Sequence, residues 1–143
     1  MIPNFEASGN LPPGKHLATF EEVKDRFGGN ARRIWLLEGL ARLLEELKKG
    51  DCLQVWLDGS FVTSKETPGD YDLCWDIYGV DLAKIDDRLF LGSKRSERKE
   101  IYRGDIFANQ IEGGSGKPFE EFFQLDRDGN PKGILVIRLK EQR

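Results

Sequence analysis

The sequence predicts an α/β (α+β) domain in which a small mixed β-sheet is backed by helices. Residues 30–49 repeat apolar side chains at steps of three and four, as the buried face of a helix requires. Short apolar runs at 52–57 and 134–139 have the length and composition of buried strands. Because both patterns occur in a chain of 143 residues without a change of composition, we expect one domain spanning residues 1–143.

The N-terminal third is predicted to contain an arm followed by two helices. Prolines and glycines interrupt residues 1–18, which favours an extended N-terminal arm. Thr19 and Glu22 have the spacing of a capping box, which predicts a short helix over residues 19–27. Asn30 is a suitable N-cap for the longer helix that follows.

The rest of the chain is predicted to supply the sheet. Strands are expected near residues 52–57, 70–77, 101–108 and 134–139, and short helical segments near 93–99 and 118–123. A loop rich in Ser, Thr, Pro and Gly separates the first two strands. Cys52 and Cys74 lie in apolar runs, so we expect two buried, reduced thiols.

The most informative stretch lies between the first two predicted strands. The first strand runs into Gly59-Ser60, and after nine residues Asp70 and Asp72 open the next strand. Side chains two positions apart on a strand point to the same face, so the two carboxylates are expected to project together. Paired carboxylates suit Mg²⁺, and a small residue pair at a strand end can present backbone amides to an anion.

This pattern resembles the signature of the DNA polymerase β superfamily of nucleotidyltransferases, in which Gly-Ser follows one strand and paired acids open the next. The resemblance implies a nucleotidyltransferase-like fold and metal-dependent transfer of a nucleotidyl group from a nucleoside triphosphate to an acceptor. It implies that Gly59 and Ser60 bind the nucleotide, and that Asp70 and Asp72 are catalytic ligands of Mg²⁺ or Mn²⁺. The acceptor is not specified by the sequence, and a protein is one candidate.

Such enzymes usually take a third carboxylate from a later strand. Asp105 is the candidate for this catalytic and metal-binding role, because it lies between strand-forming residues after a suitable gap. A surface acid at a strand end is the competing interpretation. Asp76 is a weaker candidate, because it lies about 13 Å along the strand from Asp72 at the usual rise per residue.

One departure from the family pattern leaves a second class of function open. Many small members of the antitoxin type carry an arginine and small residues just after Gly-Ser, whereas Phe61 and Val62 stand there in this chain. Lys65 is the first cation after the motif and is therefore the remaining candidate for nucleotide binding. The alternative is a catalytically inactive interaction module, such as an antitoxin-like protein that binds a toxin or a phage-defence partner.

The chain as a whole also resembles a bacterial family known only as a domain of unknown function. The resemblance covers nearly the full length and lies in the segments IPNF, LPPGKH, LDGSFVTSK, PGDYDLCWD and FFQLDRDGNPKGI. It implies no substrate of its own.

The net charge of the chain bears on the classes of partner that it can bind, and its hydropathy bears on its location in the cell. The formal net charge of −3 gives no strong signal for nucleic acid or anionic membrane. A local basic cluster, Lys94, Arg95, Arg98 and Lys99, is interpreted as an exposed helix, with a phosphate contact as the alternative. No apolar run approaches the roughly 20 residues of a membrane span, and the first residues lack signal-peptide features, so a cytoplasmic location is expected.

Overall fold

The computed structural model describes residues 1–140. Over this range the strands are β1 (Gly14–Leu17), β2 (Gln54–Asp58), β3 (Tyr71–Trp75), β4 (Gly104–Ala108) and β5 (Gly133–Arg138). The α-helices are α1 (Phe20–Phe27), α2 (Ala31–Lys49), α3 (Arg95–Tyr102) and α4 (Phe119–Phe122). None of the helices in this range combines the length and the apolar character needed to cross a bilayer.

The strands form one mixed sheet in the order β1-β5-β2-β3-β4. β2 pairs antiparallel with both β3 and β5, whereas β1 with β5 and β3 with β4 are parallel pairs. The predicted α+β class with a mixed sheet is therefore confirmed. The predicted adjacency of the two strands that flank Gly59-Ser60 and Asp70-Tyr71-Asp72 is confirmed as well.

The main core lies between the sheet and the two N-terminal helices. Thr19 and Glu22 form the predicted capping box at the start of α1, and the Asn30 side chain caps α2 by accepting from the Arg33 amide. The apolar face of α2 packs against alternate side chains of the central strands. Its fully buried members are Leu36, Leu40, Leu43 and Leu47. Burying one such side chain contributes about 1.5–3 kcal/mol, so this core fixes where β2 and β3 lie.

A smaller aromatic cluster occupies the opposite face of the sheet. α4 contributes Phe119 and Phe123, and the ring of Phe107 on β4 stacks on Phe119 with centroids 4.5 Å apart. Trp56 on β2 and Cys74 on β3 belong to the same cluster. Each of these strands carries an aspartate on the same face, two positions from its residue in the cluster. These aspartates are Asp58, Asp72 and Asp105.

The N-terminal arm differs from its prediction. Residues 14–17 form the edge strand β1, and Ile2 and Leu11 are buried in the main core. The expectation of an arm without regular structure was therefore wrong for β1. Five residues between the Pro12-Pro13 pair and a helix cap are too few to show a strand period in sequence.

The predicted strand at 101–108 begins later than expected. α3 continues to Tyr102, and Arg103 then takes the left-handed conformation with φ 67°. The chain enters β4 at Gly104, where a Cβ would lie 2.4 Å from the Tyr71 ring. Only glycine fits there, so the close packing of β4 on β3 fixes the position of the next residue, Asp105.

The two cysteines are buried and free, as predicted. Burial raises the pKa of the Cys52 thiol to about 11, so this side chain stays protonated and unreactive near neutral pH. Burial also raises the pKa of the Cys74 thiol, so neither thiol competes with the acidic residues for a chemical role.

Candidate functional site

The turn after β2 brings the backbone against an acidic side chain. Gly59 has φ 89° and ψ −176°, a conformation that side chains rarely permit. A Cβ at this position would lie 3.0 Å from Oδ2 of Asp72. The glycine therefore lets the chain turn directly beside Asp72, and Ser60 follows at the start of a 3-10 turn, Ser60–Val62.

Three aspartates lie in a row across neighbouring strands. Asp58 is opposite Asp72 in the antiparallel β2–β3 register, and Asp72 is opposite Asp105 in the parallel β3–β4 register. Neighbouring strands are about 4.8 Å apart, so the three side chains share one small area of the sheet face. Asp70 precedes β3 by one residue and lies near this row.

The central acid of this row is electrostatically unfavourable in its ionised form. Burial, with a smaller contribution from the charges of Asp58, Asp70 and Asp105, raises the pKa of Asp72 to about 7. Within residues 1–140, Asp72 is the one of these four acids without an ion pair. The site therefore lacks positive charge at its centre.

The other three acids each have a cationic partner. Lys132 Nζ lies 2.8 Å from Asp58 Oδ1, and both side chains are largely buried. On the other side of the row, Arg95 Nε lies 2.9 Å from Asp105 Oδ1 and a second guanidinium nitrogen contacts Oδ2. Lys99, one turn along α3 from Arg95, lies 2.9 Å from Asp70 Oδ2.

The loop between Ser60 and Asp70 is held by the first turn of α2. The buried Arg33 side chain donates to the backbone carbonyls of Phe61 at 2.6 Å and Thr63 at 2.9 Å, and also to that of Lys65. Next to it, Arg32 donates to the Pro68 carbonyl at 3.0 Å. These bonds to backbone oxygen fix the path that the chain takes between the two halves of the motif.

A cleft of about 710 Å³ opens above the acidic row. Asp58, Gly59, Ser60, Asp72 and Asp105 form its floor on one side. Its other walls include the cationic side chains of Arg95, Arg127 and Lys132, the rings of Phe107, Phe119, Phe122 and Phe123, and two further acids, Glu112 and Asp126. This volume lies within the usual range for small-molecule sites.

The structure brings together four of the six residues that the sequence predicted for the site. Gly59, Ser60, Asp72 and Asp105 line the cleft, and Asp70 lies just outside it, held by Lys99. Lys65 does not reach the cleft, but lines a separate depression beside Arg33. The reason is that Phe61 and Val62 are buried in the core and carry the loop away from Ser60.

The predicted metal ligands are not arranged as a preformed metal-binding site. In the part of the chain that the structure describes, no three acidic, histidine or cysteine side chains are grouped closely enough to hold a metal ion. Asp70 and Asp105 are turned towards Lys99 and Arg95. A metal bound by Asp70, Asp72 and Asp105 would require both ion pairs to open.

The sequence did not predict Asp58, Lys132 or the ion pairs that α3 makes with Asp105 and Asp70. Asp58 directly precedes Gly59, but its alignment with Asp72 depends on a strand register that the sequence does not reveal. Arg95 and Lys99 are four residues apart and therefore share one helix face, which was the available signal. Arg98, from the same basic cluster, is buried and bonds backbone carbonyls instead.

Comparisons with other proteins identify the family but no relative of known activity. No match was found among curated proteins, nor among solved structures. Residues 3–138 match a family of unknown function, DUF6932, and because this match covers nearly the whole chain, the protein belongs to that family.

Proposed function

We propose that the protein is a nucleotidyltransferase that depends on Mg²⁺ or Mn²⁺ and takes its nucleotidyl group from a nucleoside triphosphate. The observation that carries this proposal is the contact between the Gly59 turn and Asp72, with Asp105 directly opposite on β4. A backbone turn suited to phosphate thus lies beside carboxylates suited to a divalent cation. The resemblance of the motif to the DNA polymerase β superfamily points to the same chemistry.

The donor chemistry fits a hard divalent cation. Asp72 and Asp105 offer carboxylate oxygens on neighbouring strands, and Asp70 lies near enough for its charge to raise the pKa of Asp72. Mg²⁺ binds through a few carboxylates and takes its other ligands from water and substrate phosphates. A bound ion would supply charge stabilisation for the transferred phosphoryl group.

The walls of the cleft suit the remaining parts of a nucleotide. The absence of a side chain at Gly59 lets a phosphate approach the backbone, and the Ser60 hydroxyl lines the same cleft. Phe119 and the half-exposed Phe122 offer an aromatic surface on which a base can stack. The acceptor is proposed only by class, as a group on a protein or another molecule that enters the open side of the cleft.

Labelled nucleotides test the proposal directly. The protein is incubated with Mg²⁺, a cell extract and each of ATP, GTP, CTP and UTP carrying a label on the α-phosphate. We expect transfer of label to an acceptor, with loss in Asp72→Ala and retention in Asp128→Asn, since Asp128 does not line the cleft. Equal transfer by wild type and Asp72→Ala would contradict the proposal.

A second candidate function rests on the ion pairs of α3. Arg95 and Lys99 already neutralise two of the three predicted metal ligands, as expected of a domain that kept the fold and lost the chemistry. Such a protein would act by binding a partner, for example a toxin or a phage-defence protein. Binding of a partner with unchanged strength in Asp72→Ala, with no label transfer from any nucleotide, would favour this function.

A further inference from the structure

We propose that Arg95 and Lys99 bind the nucleotide phosphates when the metal is present, and neutralise the metal-binding carboxylates when it is absent. This inference rests on the proposed nucleotidyl transfer and assigns the cationic part of the same site. Arg95 is paired with Asp105 and Lys99 with Asp70, so each cation occupies one of the predicted metal ligands. The two side chains would move a short distance from acid to phosphate as the metal binds.

The two members of each pair differ in exposure. The Arg95 and Lys99 side chains are 59% and 52% exposed, whereas those of Asp105 and Asp70 are 16% and 33% exposed. Exposed ion pairs are weak, because water screens them and long side chains lose entropy when they are held. The Lys99–Asp70 contact is of this weak kind, whereas the bidentate Arg95–Asp105 contact is stronger, so Arg95 leaves Asp105 only as a bound metal and phosphate replace the interaction.

The helix that carries these cations is firmly attached. Between them on α3, the buried Arg98 donates to the carbonyls of Ile106, Arg88 and Leu91 at 2.9, 3.0 and 2.9 Å. Arg95 also lies over the ring of Phe107, with its guanidinium carbon 5.4 Å from the ring centroid. The helix therefore holds Arg95 in the lining of the cleft and Lys99 just outside it, beside Asp70.

Two other cations near the motif, Lys65 and Lys132, are poorly placed to bind phosphate, whereas Arg127 lines the cleft from an exposed turn. Lys65 lies in a separate depression, and Phe61 and Val62 fill the positions just after Ser60 with buried apolar side chains. Lys132 is committed to the buried carboxylate of Asp58. A triphosphate carries several negative charges, and α3 supplies two cations beside the acidic row that can add to the charge of Arg127.

If this exchange occurs, Arg95 and Lys99 compete with the metal for its carboxylates and strengthen the binding of the nucleotide. Removing either one frees a carboxylate and should strengthen the binding of metal alone. The same change removes a phosphate ligand and should weaken the binding of nucleotide in the presence of metal. A purely structural ion pair would not produce this pair of opposite changes.

The test measures Mn²⁺ and nucleotide binding separately by titration calorimetry. The variants are Arg95→Gln and Lys99→Gln, with Lys94→Gln as the matched control, because Lys94 lies beside α3 and pairs with Glu97 at 3.1 Å. The first probe is Mn²⁺ alone. The second is α,β-methylene ATP, or the GTP, CTP or UTP analogue that wild type binds best, at saturating Mn²⁺. Metal-free thermal melts establish that each variant is folded.

Relative to Lys94→Gln, we expect Mn²⁺ to bind about threefold more tightly to Arg95→Gln and Lys99→Gln, the scale of an exposed ion pair. We expect the nucleotide analogue to bind at least about tenfold more weakly, the scale of a lost charge-assisted hydrogen bond. The exchange is overturned, while the proposed function stands, if wild type binds the analogue and both variants bind it as tightly as wild type does. The same conclusion follows if both variants bind Mn²⁺ no more tightly than Lys94→Gln does. If wild type binds none of the analogues at saturating Mn²⁺, both proposals fail together.

Discussion

Asp72 on β3 lies directly opposite Asp105 in the parallel β3–β4 pair. On its other side, Asp72 lies opposite Asp58 in the antiparallel β2–β3 pair. Folding therefore places carboxylates in neighbouring positions that the unfolded chain keeps apart. Burial is the larger cause and the neighbouring charges the smaller cause of the raised pKa of Asp72, about 7. The ionised form of this side chain opposes folding.

The first prediction concerns the pH dependence of stability without metal. Between the ordinary pKa near 3.8 and the folded value of about 7, the folded state binds a proton that the unfolded state does not. The free energy of unfolding contributed by Asp72 must therefore fall as pH rises through this range. We expect Asp72→Asn to be more stable than wild type by roughly 2–4 kcal/mol at pH 8, and equally stable near pH 4.

Urea denaturation of both proteins across this pH range measures the difference. Asp128→Asn is the control, because Asp128 lies in an exposed turn and should follow the wild-type curve. Parallel curves for wild type and Asp72→Asn would show that the row of acids carries no electrostatic strain.

The second prediction concerns metal. Mg²⁺ or Mn²⁺ should raise the melting temperature at pH 8 by several degrees, since a hundredfold excess over the dissociation constant adds about 2.7 kcal/mol. Asp72→Asn should remove most of this increase. Asp76→Asn and Asp128→Asn should keep it, because Asp76 is bonded to Gln54 and to the Tyr78 amide, away from the cleft. Equal increases in wild type and Asp72→Asn would mean that the metal binds elsewhere.

The sequence predicted the parts of this site that depend on local pattern. The leucine spacing of α2 and the capping box of α1 identified both helices, because helix periodicity and capping are encoded within a few residues. The same holds for Gly59-Ser60 and Asp72, which open and close one connection between adjacent strands. Asp105 was identified because its position in a strand could be inferred from its immediate neighbours.

The parts that the sequence did not predict depend on distant packing. Lys132 reaches Asp58 across 74 positions, and nothing local signals that contact. The ion pairs of Arg95 and Lys99 follow from the placement of α3 against β4. Lys65 was expected at the site from its order along the chain, but the loop takes a path set by Arg33 and the buried Phe61.

The third prediction concerns the buried ion pair of Asp58 and Lys132. Burial raises the pKa of Asp58, and Lys132 opposes that shift by its charge and hydrogen bond. Lys132→Met would leave the carboxylate without its cation and should reduce the free energy of unfolding by about 3 kcal/mol. Adding Asp58→Asn to the same chain should recover much of that loss, because no buried charge then remains.

Denaturant unfolding at pH 7 measures each term of this cycle. Lys140→Met is the control, because Lys140 pairs with Asp51 at 3.7 Å where both side chains are exposed, and it should cost less than about 1 kcal/mol. A double variant as unstable as Lys132→Met would show that the loss comes from packing of the lysine stem instead of from charge.

The fourth prediction concerns the attachment of the loop after Ser60. Arg33 is buried and donates to the carbonyls of Phe61, Thr63 and Lys65, so Arg33→Met leaves several of these oxygens without a donor. We expect a loss of about 2–4 kcal/mol and faster hydrogen exchange of amides in the segment 61–69. Arg32→Met is the matched control, because Arg32 bonds only the far end of this loop from a more exposed position. Equal effects of the two substitutions would contradict the role assigned to Arg33.

The fifth prediction compares two glycines that share a positive φ but differ in their surroundings. Gly59 has φ 89° and a Cβ there would meet Asp72, whereas Gly79 has φ 71° and open space around it. Gly79→Ala should therefore cost about 1 kcal/mol, the strain of a left-handed backbone alone. Gly59→Ala should cost about 1–3 kcal/mol more, because the added carbon must displace the Asp72 carboxylate or the turn itself.

The displacement of Asp72 in Gly59→Ala should also abolish the metal-dependent rise in melting temperature. Gly79→Ala should keep this rise. Denaturant unfolding and thermal melts with and without Mn²⁺ measure both effects, and a full metal response in Gly59→Ala would separate this turn from the acidic site.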